Sequence, residues 1–424
     1  MSRMAVGKSE NKDWFGEVPD EWDITRIGDL YAYRNEKVDD RDFMPLSVTM
    51  QGILPQLETA AKSDTHDNRK LVRKGDFVIN SRSDRRGSCG ISPCDGSVSL
   101  INTVLAPRND TNPRYYDWLF HTVQFADEFY KWGHGIVDDL WTTRWQEMKR
   151  ILIPVPSLAE QHAIADYLDE RCAKIDAIIA ESKKSIEEYK ELKQAVIYEA
   201  VTGGRNKESK KNSNTFYIPE IPTSWNIIPL KRISTKTISY GVIKLFDPDD
   251  NGINILRCSD VREGYIDTTN IRTISRTLSE QYKRTILTPG DIVINVRGTL
   301  GGCAVIPKSM TGYNIAREVA LISPDHDKYN SEFIMYVLLS NIFTYYRDYF
   351  LSGAIYLGIN MEMLSKFKCP IPSLREQNDI VQYLNDETSK VDSLISEKQS
   401  LVNDLEAYKK SLIYEVVTGK RRIN

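Results

Sequence analysis

Two stretches of this chain are nearly the same: "VPSLAEQHAIADYL" begins at Val155 and "IPSLREQNDIVQYL" at Ile371, 216 residues later. An internal repeat on this scale fixes the architecture before any local signal does, because both copies must build the same unit. At the constant offset, Pro156–Arg205 matches Pro372–Arg421 without a gap, and 20 of the 50 positions are identical. The likeness continues upstream, more weakly. "VPDEW" (from Val18) answers "IPTSW" (from Ile221), "KGDFVINSR" (from Lys74) answers "PGDIVINVR" (from Pro289), and "GSCGI" (from Gly87) answers "GGCAV" (from Gly301). The chain is a tandem duplication of about 215 residues, each half with a divergent front and a matched rear.

The rear part reads as one long helix. Ser157 with Glu160, and Ser373 with Glu376, form capping boxes ahead of a periodic apolar run. Gly203 and Gly419 stand where a left-handed residue ends a helix. About 45 residues at 1.5 Å each predict a length of roughly 65 Å. The apolar positions step by four and three. The first copy gives Leu168, Cys172, Ile175, Ile179, Ser182, Ile186, Tyr189, Lys193, Val196 and Ala200. The second gives Leu384, Thr388, Val391, Ile395, Lys398, Val402, Leu405, Lys409, Leu412 and Val416. Such seams predict an antiparallel pair of helices. The alternative is that each helix packs only on its own front domain.

The fronts read as α/β domains. "DFVINSR" and "DIVINVR" are β-rich runs behind a Gly-Asp turn. Asn112-Pro113 and Asn330-Ser331 predict aromatic-rich helices over Arg114–Lys131 and Glu332–Leu351, ended by Gly133 and Gly353. Residues 203–217, "GGRNKESKKNSNTFY", read as a flexible polar linker. A length of 424 residues with 41% hydrophobic content gives room for sizeable cores. The N-terminal stretch has no apolar leader and no run approaches a membrane span, so the expected location is cytoplasmic with no membrane partner. Six scattered cysteines without C-x-x-C predict free thiols. A net charge of −3 argues against nucleic-acid binding by overall charge, and leaves room for local basic surfaces.

The P-S-L-x-E-Q openings, V-T-G-x-R endings, G-D-x-V-I-N-x-R strands and repeated I/V-P-x-x-W entries, in this order from Val18 to Arg421, resemble the specificity (S) subunit of type I restriction-modification systems. The resemblance implies an α/β (α+β) tandem duplication of two target recognition domains, each followed by a spacer helix, the helices pairing as an antiparallel coiled coil. The boundaries expected are 1–152 for the first recognition domain, 153–203 for its helix, 204–217 for the linker, 218–370 for the second domain and 371–421 for its helix. It also implies that each domain reads one half of a split double-stranded DNA target and that the helices hold the domains apart. Two modification subunits, carrying S-adenosylmethionine and methylating adenine, would bind them, joined by ATP- and magnesium-dependent restriction subunits. The chain itself would be non-catalytic and hold no cofactor.

The residues agree with that absence. Asn112-Pro113-Arg114-Tyr115 is the nearest approach to an N-P-P-Y methyltransferase loop, and a helix cap explains it better. There is no phosphate-binding G-x-x-x-x-G-K-[ST], and the five histidines lack metal-ligand spacing. A self-sufficient methyltransferase and a DNA-free coiled-coil scaffold are the competing classes. The first lacks a cofactor loop, and the second leaves two full-sized divergent domains unexplained.

Reading bases in the major groove calls for Arg, Lys, Asn or Gln on loops and helix ends. The first half offers Arg82, Arg85, Arg86, Lys131, His134 and Arg144; the second offers Tyr240, Lys244, Arg257, Arg297, Arg317 and Tyr356. For each, a solvated or salt-bridged side chain is the competing reading. Arg82 and Arg297 are repeat equivalents, which suits phosphate or framework contact, whereas the divergent neighbours Arg85 and Arg86 suit sequence reading. Gln161 and Gln377 have no capping duty and are expected to face a partner subunit. For Tyr198 and Tyr414, near the distal helix ends with Glu199 and Glu415, packing and partner contact both stand.

Overall fold

The structure, a computed structural model, describes residues 14–57, 66–108, 111–135, 141–204, 207–243, 249, 251–352 and 358–423. The chain divides into two compact units, Met1–Lys183 with Gln399–Asn424, and Lys184–Lys398. The division falls inside both long helices, Leu158–Val201 and Leu374–Val417. It falls there because the two helices pair antiparallel, so each unit takes the start of one helix and the end of the other. Every seam position predicted from the sequence is buried or half-buried in both copies. In the first unit Lys409 bonds both oxygens of Asp176 at 2.7 and 2.6 Å, and Lys183 reaches Glu406 at 2.9 Å. In the second, Lys193 bonds both oxygens of Asp392 at 2.7 Å. Lys193 and Lys409 are repeat equivalents, as are Asp176 and Asp392, so each unit answers its seam lysine with the same carboxylate. Polar groups at such positions specify register.

Each unit builds its front domain on the same sheet plan. In the first, Tyr31–Arg34, Asn102–Pro107, Phe77–Asn80 and Cys89–Ile91 lie in that order, with every neighbour antiparallel. In the second the order is Ser239–Tyr240, Val319–Ile322, Ile292–Asn295 and Cys303–Val305, again antiparallel. The Gly-Asp turns lead into the central strands as predicted. Gly75 and Gly290 adopt φ of +89° and +84°, and the following Asp76 and Asp291 accept from the amides of Arg73 and Thr288, both at 2.8 Å. A two-stranded ladder closes each domain where it meets its helix: Asp23–Arg26 pairs with Leu152–Val155, and Asn226–Pro229 with Lys368–Ile371.

Two expectations need correction. The aromatic segment is not one helix but two in each unit, Pro113–Phe120 then Val123–Lys131, and Ser331–Leu339 then Asn341–Leu351. The break falls at hydroxyl residues that take over a carbonyl of the first helix. Thr122 donates to Leu119 O at 2.8 Å and caps the next helix through the Phe125 amide, and Ser340 donates to Val337 O at 2.7 Å. The first helices do start at Asn112 and Asn330, whose side chains accept from Arg114 N and Glu332 N. Gly353 lies outside the described residues. The segment expected to be a flexible linker is also ordered for most of its length. Lys210–Asn212 pairs with Glu220–Pro222, Glu208 accepts from the hydroxyls of Thr223 and Ser224 at 2.7 and 2.6 Å, and Tyr217 is buried.

Candidate nucleic-acid interface

Each domain is fixed to the helices at one junction, built twice from matched residues. The capping box at Ser157 forms as predicted: Ser157 N donates to Glu160 at 3.1 Å and Glu160 N to the serine oxygen at 3.3 Å. At Ser373 the matching bond from Glu376 N is also 3.3 Å. The glutamate has a second duty. Trp22 Nε1 donates to Glu160 and Trp225 Nε1 to Glu376, each at 3.2 Å, so the entry tryptophan of each domain is tied to the start of its own helix. The same tryptophan covers the end of the other helix. A Cβ on Gly419 would lie 2.3 Å from Pro19 and 3.2 Å from Trp22; one on Gly203 would lie 2.3 Å from Pro222 and 3.4 Å from Trp225. Both glycines have positive φ, +72° and +76°, so neither space nor backbone admits a side chain. Burial beside Trp22 would raise the Glu160 pKa, but the hydrogen bonds from Ser157 and Trp22 outweigh it and hold the carboxyl below its ordinary range.

Gln161 and Gln377 do not face a partner. They are 3% and 0% exposed. Gln161 Oε1 accepts from Asn112 N at 2.9 Å while its amide donates to Pro156 O at 3.0 Å. Gln377 repeats this with Asn330 N at 2.8 Å and Pro372 O at 3.1 Å. Each glutamine satisfies the cap residue of the first aromatic helix and so sets that helix against the long one. Tyr414 is half-buried by packing: its hydroxyl donates to Trp14 O at 3.3 Å and Lys420 Nζ lies 5.1 Å above its ring. Tyr198 is half-buried against the second unit's core.

With the domains held there, most of the described candidate reading residues gather at one end of each main sheet, an edge formed by the loops that leave its strands. In the first unit, Thr142 pairs through its backbone with both Arg82 and His134, and Thr143 N bonds Ser81 O at 3.0 Å. Three separate stretches thus bring Arg82, His134 and Arg144 together, with Arg85 and Arg86 on the turn that follows Arg82. The edge needs Gly133, where a Cβ would lie 2.2 Å from the Trp141 ring nitrogen. Arg82 and Arg144 are exposed and have no ion-pair partner among the described residues. Among the described residues Arg85 meets only the exposed Asp84, at 3.7 Å. Arg86 is engaged, paired with Asp127 and lying 4.9 Å over the Tyr130 ring. Lys131 pairs with Glu128 at 3.1 Å. One feature of this surface has no counterpart in the predicted set: Tyr33 stacks on Trp145, beside Arg144, at 6.1 Å and 14°. Its only sequence signal is the tryptophan of "TTRW".

In the second unit, Tyr240 pairs with Ala320, and Val242 with Ala316, placing the Tyr240 strand beside Arg317. Arg297 lies 5.7 Å over the Tyr240 ring, and its backbone amide bonds Glu318 O at 3.2 Å. Arg317 pairs with Glu318 at 3.1 Å and stays exposed. Arg257 is held in the frame: it grips Asp260 at 3.1 and 2.8 Å and Asn270 O at 2.8 Å. Lys244 and Tyr356 lie outside the described residues. All six cysteines are free. Burial pushes the thiols of Cys89, Cys303 and Cys369 up and that of Cys172 to about 11, which makes them poor nucleophiles at neutral pH.

Comparison with known proteins settles the family. The family model for the type I restriction modification DNA specificity domain matches residues 19–188 and again residues 222–403. The chain belongs to this family. The two matches fall one on each copy of the repeat, so the family domain includes the front domain and most of its helix. The specificity subunit of the type I restriction enzyme EcoBI from Escherichia coli is 31% identical over 255 residues, which cover 58% of this chain and 53% of that one. The chain thus spans about half the length of that relative. The specificity subunit of the type I restriction enzyme MjaVIII from Methanocaldococcus jannaschii is 25% identical over 442 aligned positions, covering 99% of this chain and 98% of that one. Among solved structures, a chain from work on complex assembly and conformational transition of the type I R-M system superposes with a TM-score of 0.72. Its identity is 16%, with 96% of this chain and 100% of that chain covered. The HsdS subunit from Thermoanaerobacter tengcongensis gives a TM-score of 0.50 at 17% identity, covering 96% and 98%. At identities of 16% and 17% these likenesses show a shared fold. Among the described residues no helix is long and apolar enough to cross a membrane.

Proposed function

We propose that each unit reads one half of a split double-stranded DNA target through its sheet edge, and that the chain performs no chemistry itself. The observation that carries this is the pair of edges. Arg82 and Arg297 occupy equivalent places on one frame, while the side chains around them differ: Arg85, Arg86, His134 and Arg144 in one unit, Tyr240 and Arg317 in the other. A shared frame with unlike readers suits two different half-sites. Arg82 and Arg297 take the phosphates and their neighbours take the base edges.

The modification subunits dock on the matched helices, and S-adenosylmethionine, ATP and magnesium belong to them and to the restriction subunits. Support for that placement comes from apolar side chains left in solvent at heptad spacing. Leu394, Leu401 and Tyr408 are 41%, 40% and 47% exposed, and Ile178 and Leu192, the repeat equivalents of Leu394 and Tyr408, are each 49% exposed. Residues seven apart share a helix face and invite a partner helix.

Adenine methylation mapped in cells that express this chain with its partner subunits tests the reading. The expected result is a split motif with a non-specific gap, of which only one half changes when residues 1–152 are exchanged for those of a related chain. A change in both halves would refute the assignment of one domain to one half-site. With a net charge of −3, the purified chain alone should bind DNA weakly at physiological salt. Tight selective binding without partners would refute the division of labour.

A further inference from the structure

The asparagine of G-D-x-V-I-N-x-R is present in both halves, as Asn80 and Asn295, directly before the loop that carries Arg82 or Arg297. Its backbone closes the base of that loop in both units: Asn80 N bonds Ser88 O at 2.9 Å and Asn295 N bonds Gly302 O at 2.8 Å. The side chains then differ. Asn80 Oδ1 accepts from Arg82 N at 3.0 Å. Asn295, only 1% exposed, turns its amide the other way and donates to Cys258 O, Val261 O and Thr299 O at 3.0, 3.1 and 3.1 Å. Those carbonyls belong to two loops, the turn held by Arg257 and Asp260, and the Arg297–Gly302 turn. The orientation leaves Asn295 Oδ1 buried without a partner among the described residues. Gly302 lets the loops close: a Cβ there would lie 2.3 Å from Val261 O and 2.4 Å from Asn295 Nδ2.

We propose that Asn295 is the positioning residue for base recognition by the second unit, clamping its two edge loops so that Arg297 and its neighbours meet DNA in one place, and that Asn80, by accepting from the Arg82 amide, fixes the start of the matching loop in the first. The inference rests on the reading that these edges contact DNA. Neither asparagine is exposed enough to touch a base, so both act through the residues they hold. Aspartate at position 295 would face three carbonyls with no donor. A leucine of similar size would leave all three unbonded. Of the three, the amide alone supplies donors to both loops.

The test uses the full chain assembled with its modification subunits and reads methylation across a randomised DNA library. Asn295→Ala and Gly302→Ala should each lower base discrimination about tenfold at one half-site and leave the other unchanged, since tenfold corresponds to the loss of one well-placed base contact. Asn80→Ala should give the mirror result. A milder variant, Asn295→Ser, keeps one donor and decides by the same split if Asn295→Ala fails to assemble. Equal loss at both half-sites, or unchanged preferences in an intact complex, would overturn the proposal. Arg297→Ala with Arg317→Ala separates the two ideas. If the arginine variant shifts one half-site and Asn295→Ala does not, positioning alone is wrong. If neither shifts a half-site, the edge does not read DNA and the inference falls with it.

Discussion

The two units anchor their first aromatic helix to the long helix in the same place with different chemistry. In both, a buried glutamine takes the amide of the cap asparagine. Around that point the first unit uses charge: Arg114 pairs with Asp166 and, at 2.8 Å, with Asp169, which also accepts from Trp118 Nε1 at 2.8 Å. The second unit replaces Arg114, Trp118 and Asp169 by Glu332, Tyr336 and Asn385. Tyr336 donates to Asn385 at 2.6 Å, and Asn385 donates to Glu332 at 3.0 Å. The asparagines also reach different partners, His162 in one unit and Asn378 in the other, at 2.9 and 2.8 Å. What divergence has kept is the buried, geometric part of the anchor. The exposed rim has been free to change sign, because exposed pairs contribute little to stability.

That comparison can be broken most severely at the junction glycines. Gly203→Val and Gly419→Val should each destabilise by about 3 kcal/mol or more, from positive φ combined with overlap on Pro222 or Pro19. Unfolding monitored by urea titration should show similar losses, and a large inequality would mean that the junctions are not equivalent. Next come the glutamines. Gln161→Leu and Gln377→Leu should cost about 2 kcal/mol each by leaving a buried amide unpaired, with hydrogen exchange rising locally at Asn112 or Asn330. An unequal response at the two asparagines would show that the anchor's shared part is shared only in outline.

The seam sharpens the contrast. With Asp176 opposite Lys409, Ile179 falls near Glu406 and packs in the cluster that holds Val402 and Leu405, so it does not face Ile395. Ile179 is buried and Ile395 only half-buried. Lysine at 179 should therefore lower thermal stability by about 2–3 kcal/mol and lysine at 395 by about 1. The rim comes last. Arg114→Ala should cost under about 1 kcal/mol, a loss that shrinks further in high salt, while Asn385→Ala should be insensitive to salt. Acid gives a parallel measurement. Because the folded Glu160 has a depressed pKa, its contribution is present above the ordinary glutamate pKa of about 4.3 and is lost as pH falls through the lower folded value. Melting in that window should weaken less in a Glu160→Gln variant than in the parent.

Much of the frame was legible because it is periodic or local. The seam repeats every three and four residues, the capping box spans four, and the Gly-Asp turn spans two. Residues whose partners lie far along the chain gave no such signal. Gln161 meets an amide 49 positions away, and nothing in its neighbourhood distinguishes a buried glutamine from one awaiting a partner. Arg86 looks in sequence like any loop arginine, and only the folded chain shows Asp127, 41 positions away, already holding it, whereas the partner of Arg257, Asp260, stood three positions on. The helix breaks at Thr122 and Ser340 were hidden because hydroxyl residues occur inside helices too. The linker misled through composition: its lysines are exposed on a hairpin whose order comes from Glu208 and Tyr217.

The division of the chain has a consequence for its making. Lys184–Lys398 is one uninterrupted stretch, whereas the first unit needs Gln399–Asn424, with Val416, Val417 and Gly419 packed against residues near its beginning. On the ribosome, the domain synthesised first is therefore the one completed last. At roughly 5–20 residues per second, its helix start waits on the order of 10–40 seconds for its mate. Through that interval Trp22, Ile175 and Ile179 lack their cover, and the second unit can fold ahead of the first. A chain cut short between Lys398 and Val417 would have a later-made unit that is sound and an earlier-made unit that is open.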